Sequence, residues 1–548
     1  MEAKFQAFLS RNKLESKPFQ TECFKWCSMK EQAQQHQAQQ HQAQPEKKHG
    51  GILALEMGLG KTILMLGLVK CNLKQQTLIV LPRSLLDQWE KSIIQLCGCQ
   101  PLVYHGSRPK NLKMPLAEIK TYPLVLTTYG QMSLPSVKQA NKGRLRSRLH
   151  EIVWNRLICD EAHHVSHKKT NEFKGAQIIK AEICWLVSGT PLQNSEKELY
   201  NLYSLFGLSN SKIYYNTGEN YTDTFKEMVF FRTKSGAGLV LPPLHEHTIN
   251  VEWGSESERE FALHIHSLLT FCHVPQKSLA IQIEAETENV NALRMKYLSQ
   301  AQQACVYPPM LDRAIVQFER MLYEFRASVA GTSTSAAETD EYGNLDASDL
   351  HVSQSKIDAI LKTLVERKAN GCGKIVFCRY YTEIDIIAER LRLADPTLRL
   401  AKFDGRVSNG KRASVLSAPV DILLAQIKMC REGLNLQDHY SEAYFPSPNF
   451  NPATEQQAIA RCWRMGQQKE VHVFRYILGA MPPHPPFGEV RPETLPPVGG
   501  LGGAPPQTMD EFTTQLHTKK RELVDRMAIA AQTPPSVRKI KIKYIKKS

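Results

Sequence analysis

The chain has 548 residues, three to four domains' worth at roughly 150 residues per domain, so a small stapled module is excluded. Hydrophobic residues at 42% and charged residues at 22% exclude a fibrous or wholly disordered protein. Lys plus Arg number 69 against 54 Asp plus Glu, a net charge of +15, which favours a polyanionic partner such as nucleic acid without saying which.

Residues 1–245 read as a first α/β lobe, with strands at 51–55, 77–81, 102–105, 124–128, 157–160 and 184–188. Inside it, residues 31–49 form a Gln/His-rich tract with HQAQ twice, too polar to offset its ordering entropy, and are expected as a surface loop with solvated histidines. Residues 246–326 change character. Ser255 and Glu258 suggest a capping box, and Phe261, Ile265, Leu268, Leu269 and Cys272 recur at helical spacing, so a helical insertion is expected. Residues 327–349, rich in Ser, Thr, Ala and acids, read as a linker. Residues 350–480 read as a second lobe, with strands at 374–378, 400–403, 421–427, 442–445 and 471–476. Near-continuous apolar strands alternating with helices imply buried parallel sheets, and two such sheets mean two α/β lobes. The segment 481–507, with nine Pro and five Gly, reads as an extended loop. Residues 531–548 form a basic tail whose Arg538–Lys547 run fits a DNA-anchoring arm, a nuclear import signal or a solvated tail equally well.

The 13 cysteines are scattered, and neither Cys23 and Cys27 nor Cys97 and Cys99 have companions at zinc spacing, so they read as reduced thiols of an intracellular protein. The first residues lack an apolar signal region, and the run 51–69 is interrupted by Glu56 and Lys61, so secretion and membrane insertion are not expected.

The sharpest local pattern is Glu56-Met57-Gly58-Leu59-Gly60-Lys61-Thr62, following an expected strand and opening an expected helix. There, glycines let the backbone approach phosphates, Lys61 reaches the β/γ-phosphates and Thr62 can hold Mg²⁺. At the end of the apolar run Leu157-Ile-Cys comes Asp160-Glu161-Ala-His163, two carboxylates at a strand's carboxyl edge. Asp160 suits a metal ion, and Glu161 suits orienting and deprotonating an attacking water. Further on, Gln457-Ala-Ile-Ala-Arg461-Cys-Trp-Arg464 places two arginines three apart, which puts them on one face of a helix, suited to charge developing on a γ-phosphate. A plain amphipathic basic helix is the alternative there.

The ordered set EMGLGKT, LIVLPRSLLDQW, VLTTYG, ICDEAHHVSH, LVSGTPLQN, KIVFCRY, FDG, EGLNLQ and QAIARCWRMGQ resembles the Swi/Snf-related DNA translocases, a branch of the superfamily-two helicases, from about Leu14 to Tyr476. The resemblance implies two RecA-like parallel-sheet lobes in tandem, a helical insertion between them and a C-terminal brace helix at 508–530. It implies an ATPase that uses ATP and Mg²⁺ to move along duplex DNA through backbone phosphates, in the nucleus of a eukaryote or otherwise in the cytoplasm or a viral compartment, with nucleoprotein or transcription or repair machinery as further partners. By position, Phe19-Gln20 looks like an adenine-recognising pair and Leu55 to Thr62 the nucleotide loop. Asp160 and Glu161 would be the metal and water residues, and Ser188-Gly-Thr190 the coupling segment. Gln457, Arg461 and Arg464 would be the arginine-finger helix. The segments 82–89 and 127–129 look like first-lobe surfaces facing DNA, with Asp404-Gly405 and 433–437 their counterparts in the second lobe. The stretch 293–311 is similar to the one that precedes the second lobe in the family. Two departures stand out: Leu55 where the family usually has Asp, and Met429-Cys-Arg-Glu432 where it has a small, Gly-rich run. The residues leave open a strand-separating helicase and a nucleic-acid-binding scaffold whose ATPase is uncoupled.

Overall fold

The computed structural model describes residues 1–37, 48–74, 76–141, 143, 145–189, 196–208, 225–270, 298–316, 319, 320, 323, 350, 354–418, 420–430, 434–479, 508–511, 513–515, 517, 518 and 522. The expected linker, Pro/Gly-rich loop and basic tail lie outside the described residues. The chain divides into two compact units, Met1–Val240 with Lys519–Ser548, and Leu241–Thr518.

Among the described residues the first unit is built on seven strands: β1 (His49–Leu55), β2 (Thr77–Leu81), β3 (Leu102–Val103), β4 (Leu124–Thr128), β5 (Val153–Asp160), β6 (Lys180–Ser188) and β7 (Val229–Arg232). They lie in the order β3-β4-β2-β5-β6-β1-β7, all parallel. Successive side chains of a strand point to opposite faces, and here both faces are buried. Ile52, Ala54, Leu78, Val80, Leu157 and Cys159 enter one core, while Leu53, Leu55, Ile79, Leu81 and Ile158 enter another. This is why the strands read as continuous apolar runs rather than alternating ones. The second core is closed by α1 (Glu2–Arg11), α2 (Pro18–Gln37), α3 (Lys61–Cys71) and α4 (Leu86–Cys97).

Among the described residues the second unit has six strands: β8 (Leu244–Val251), β9 (Lys374–Cys378), β10 (Leu400–Phe403), β11 (Ile422–Gln426), β12 (Glu442–Phe445) and β13 (Val471–Leu478). They form a second parallel sheet in the order β10-β11-β9-β12-β13-β8. Its two faces are covered in the same way: Val376, Cys378, Ile422 and Leu424 enter one core, and Ile375, Phe377, Leu423 and Ala425 the other.

Three expectations are corrected. The Gln/His tract does not begin as a loop: α2 runs on to Gln37, and the carboxylate of Glu31 is fully buried against the guanidinium of Arg156 at 2.6 Å. Only 38–47 of that tract lie outside the described residues. Second, residues 244–251, divided in the sequence reading between the first lobe and the helical insertion, form β8 at the edge of the second sheet, eight residues in register with β13. Third, the helix Glu256–Thr270 caps as expected, with the Glu258 amide donating to Ser255 Oγ at 3.1 Å. Yet its Phe261 and Ile265 belong to the core of the second unit together with Val251, Ala301 and Cys305, so this segment completes that unit rather than standing apart from it. Residues from 509 are helical as far as they are described. The amide of Leu478 donates to the Asp510 carboxylate at 3.1 Å, and Lys356 is ion-paired to the same buried group.

Candidate nucleotide-binding site

At the carboxyl edge of the first sheet, register places the ends of four strands side by side. Asp160 of β5 lies opposite Val187, Ser188 of β6 opposite Ala54, and Leu55 of β1 opposite Arg232. The loop from Glu56 to Gly60 leaves β1 there and turns into α3. Gly60 sits at the N-cap in the left-handed region, φ 78° and ψ 34°, where a side chain is strained. A Cβ there would also lie 2.8 Å from Gln20 Nε2. Gln20 itself is buried and donates to the carbonyl of Leu59 at 3.4 Å, so the expected adenine-recognising residue is packed on the loop. Lys61 Nζ donates to the carbonyl of Leu55 at 3.2 Å. Beside it, a Cβ on Gly189 would come within 3.0 Å of Lys61 Nζ, so the segment after β6 approaches the lysine closely because it lacks a side chain. Thr190 lies outside the described residues.

Leu55 and Leu59 turn their side chains into the core and face the loop only through backbone. The Glu56 carboxylate accepts from the amide of Lys234 at 2.7 Å, anchoring the loop to the chain after β7. The substitution of Leu for Asp at 55 therefore leaves the loop's geometry to backbone groups.

Asp160 is buried and held by three hydrogen bonds. Trp89 Nε1 donates to Oδ2 at 2.9 Å, the Glu161 amide donates to Oδ1 at 3.0 Å, and the Tyr129 hydroxyl donates to its carbonyl at 2.6 Å. Its carboxyl is pushed up to about 7, first by burial and then by the neighbouring Glu161; Lys61 and the two hydrogen bonds pull the other way. Glu161 occupies the left-handed region at φ 50° and ψ 52°, one of two non-glycine residues with positive φ among those described. Its Oε2 stands 3.4 Å from Nδ1 of His163, a buried ring whose nitrogens make no hydrogen bond among the described residues. Two buried carboxylates opposed by one lysine form a site short of positive charge. Their oxygens, with the hydroxyl of Thr62, are the hard ligands a magnesium ion takes, so the residues fit that ion.

Of the two first-lobe segments expected to face DNA, residues 127–129 are buried, and 82–89 turns only part of its residues outward. Trp89 is fully buried on Asp160, and Leu85 and Leu86 are core residues. Thr127 is buried with its hydroxyl on the carbonyl of Tyr104 at 2.9 Å, and Tyr129 braces Asp160. Of the first segment, Arg83, Ser84, Asp87 and Gln88 remain exposed. Trp89 and Tyr129 are thus positioning residues that the sequence reading had placed on a surface. A Trp eight residues past a β-strand end, set on the first turns of an amphipathic helix, was the available signal for burial.

In the second unit, Gln457 is buried in the helix Pro452–Cys462, which ends with Trp463 as its C-cap. Arg461 is in the last turn, but Arg464 lies beyond the helix, so the two arginines do not share a helical face. The chain leaves the helix because the Trp463 indole donates to the carbonyl of Pro242 at 2.8 Å. Arg464 Nη1 then donates to Asn435 Oδ1 at 2.7 Å, and burial holds its guanidinium below its ordinary pKa. Asp404 is buried and grips Arg406 at 2.6 Å, while Gly405 is exposed. Met429 packs against the core and Cys430 is inside it; Arg431, Glu432 and Gly433 lie outside the described residues, as do residues 293–297. Among the described residues no helix is long and apolar enough to cross a membrane.

The family model of the SNF2-related domain matches residues 19–310, and that of the helicase conserved C-terminal domain matches 355–466. The DNA excision repair protein ERCC-6-like of Danio rerio is 25% identical over 78% of this chain and 33% of its own length. The DNA repair protein RAD5A of Arabidopsis thaliana is 25% identical over 73% of this chain and 48% of its own. The chain thus spans a third to about half the length of these relatives. Among solved structures, the SWI2/SNF2 ATPase core of Sulfolobus solfataricus in complex with dsDNA aligns over 85% of this chain and 88% of that one, at 17% identity and a TM-score of 0.35. Since the first family model spans more than half of the residues, from the helix that carries Gln20 through both edge carboxylates and on into the second unit, the chain belongs to the SNF2-related family.

Proposed function

We propose that the chain is a DNA-dependent ATPase that hydrolyses ATP to move along duplex DNA. The observation that carries this reading is the convergence of the Lys61 loop, the Gly189 approach and the Asp160–Glu161 pair on one edge of the first sheet. In this role the backbone amides from Gly58 to Thr62 and the start of α3 bind phosphate oxygens, and Lys61 leaves the Leu55 carbonyl for the terminal phosphates. Thr62 and Asp160 hold Mg²⁺, which supplies charge neutralisation at the phosphates. Glu161 orients the attacking water and takes its proton. Gln20, seated on the loop, reads the base. Arg461 and Arg464 of the second unit, with Gln457 supporting the helix, supply the finger. Family membership and the net charge of +15 support duplex DNA as the polyanion, contacted at phosphates rather than bases. The names of the relatives support DNA repair as the setting.

Steady-state ATP turnover with and without duplex DNA tests the reading. We expect stimulation by DNA that weakens as salt rises, Lys61→Ala to abolish it, and Glu161→Gln to lower it by about 10² to 10⁴. Turnover that ignores both DNA and these substitutions would leave a nucleic-acid scaffold. Efficient strand displacement on forked DNA would leave a helicase instead of a duplex translocase.

A further inference from the structure

The second unit carries a cluster of metal-ligating side chains that the nucleotide chemistry does not use. His245 on β8 lies directly opposite His472 on β13. Since side chains alternate along a strand, His247 shares the face of His245, and Glu470, two residues before His472, shares the face of His472. The His245 and His472 rings stack at 4.8 Å between centroids, and those of His247 and His472 at 5.4 Å. His245 Nε2 is 3.1 Å from Glu470 Oε2, and His247 Nε2 is 3.1 Å from His472 Nδ1. Ligand atoms of His245, Glu470 and His472 all fall within 4.8 Å of one another.

A zinc-type ion with bonds of about 2.1 Å sets its tetrahedral ligand atoms about 3.4 Å apart. The His245–Glu470 spacing of 3.1 Å is close to that distance, and the ligand atom of His472 lies within 4.8 Å of both. Arg367 lies over the Phe474 ring at 5.0 Å and donates from Nε to Glu442 at 2.9 Å, so its charge is met locally. Two imidazoles and a carboxylate suit Zn²⁺, Ni²⁺ or Cu²⁺ and discriminate against Mg²⁺, which prefers all-oxygen octahedral sites.

We propose that His245, Glu470 and His472 form a binding site for a borderline divalent transition ion of the zinc class. His247 is a positioning residue, because a ligating histidine is oriented by whatever engages its other ring nitrogen. Three protein ligands leave a fourth position to water. The ion clamps β8, the first strand after the chain enters the second unit at Leu241, to β13, which lies 225 residues further on. That strand pair closes the edge of the sheet, so occupancy reports on the stability of the second unit, independently of nucleotide or DNA.

The test uses the full chain stripped of metal and titrated with Zn²⁺ in excess Mg²⁺ by calorimetry, with Co²⁺ absorption as a second readout of tetrahedral coordination. One site per chain is expected, with the thermal transition of the second unit rising on Zn²⁺ addition. His245→Ala and His472→Ala should each weaken binding by about 100-fold or more and remove the thermal response, while His247→Ala weakens it by about 10-fold. The metal-free melting temperatures of these variants establish that they fold, and if an alanine variant melts early, His245→Gln and His472→Gln replace it. The proposal fails if Zn²⁺ binds no tighter than Mg²⁺, if binding survives both ligand substitutions, or if it is lost instead on His36→Ala with His41→Ala in the Gln/His tract. The first of these outcomes leaves the cluster as a hydrogen-bonded stack of rings.

Discussion

Glu31→Ala strands a guanidinium inside the first unit, and the structure gives the size of the effect. Both side chains of the Glu31–Arg156 pair are fully buried. Arg156 Nε donates to Glu31 Oε1 at 2.7 Å and Nη2 to Oε2 at 2.6 Å, a bidentate pair, with a further bond to the Asn72 carbonyl at 2.8 Å. Glu31 also accepts from Trp185 Nε1 at 2.9 Å and from Asn72 Nδ2 at 2.5 Å. Removing one member of such a pair costs about 3–5 kcal/mol, because the remaining charge has no counter-ion and no water. At about 2–4 °C per kcal/mol for a unit of this size, the transition of the first unit falls by about 6–20 °C. Glu31→Ala combined with Arg156→Met removes the stranded charge and leaves only neutral donors unpaired, so the double variant should regain at least about 1 kcal/mol over Glu31→Ala. Differential scanning calorimetry on the three proteins measures this. A Glu31→Ala protein within about 1 kcal/mol of the parent, or a double variant less stable than the single, refutes the reasoning.

Trp89→Phe keeps most of the packing of α4 but removes the hydrogen bond to Asp160 Oδ2; a bond to a charged group contributes about 1.5–3 kcal/mol, so kcat should fall by roughly 10- to 100-fold with little change in KM for ATP. A kcat equal to the parent's would detach Trp89 from the site. Glu383→Gln should flatten the pH dependence of the second unit. The buried Glu383 carboxyl is pushed up to about 7, mainly by burial, against the amides of Arg379 and Tyr380 that it accepts from at 2.6 and 3.2 Å. A carboxyl whose folded pKa is raised holds its proton after the unfolded chain has lost it, so its contribution is complete below about pH 4.5 and is lost as pH rises through about 7. Urea midpoints at about pH 5 and about pH 8 should then differ less in Glu383→Gln than in the parent; an equal difference rules Glu383 out as the source.

The parallel sheets were legible because strands buried on both faces have no alternation to misread: Ile52 to Leu55 and Leu78 to Leu81 are apolar at every position. The loop at Lys61 and the carboxylates at Asp160 were legible because each sits at a strand end within a short segment. What failed depended on contacts distant in the chain. Composition alone assigned Glu31 to a polar loop, while its counter-ion lies 125 residues away. The spacing of Arg461 and Arg464 predicts a shared face only if the helix continues, and Trp463 ends it on a carbonyl 221 residues away. Residues 244–251 mix polar and apolar side chains, as an edge strand does, and only pairing with β13 reveals them as part of the second sheet.

Glu161 holds its left-handed backbone at the carboxyl end of β5. A left-handed conformation costs a residue with a Cβ about 1–2 kcal/mol and persists only where its surroundings over-determine it. Here Tyr129 fixes the carbonyl of Asp160 from the end of β4, Trp89 fixes one carboxylate oxygen from α4, and the Glu161 amide closes on the other. The turn is therefore a rigid presentation of two carboxylates, its geometry set by aromatic residues that need never touch substrate. Motif residues alone transplanted onto another strand end would lack this frame. It follows that the orientation of the acidic pair depends on Trp89 and Tyr129.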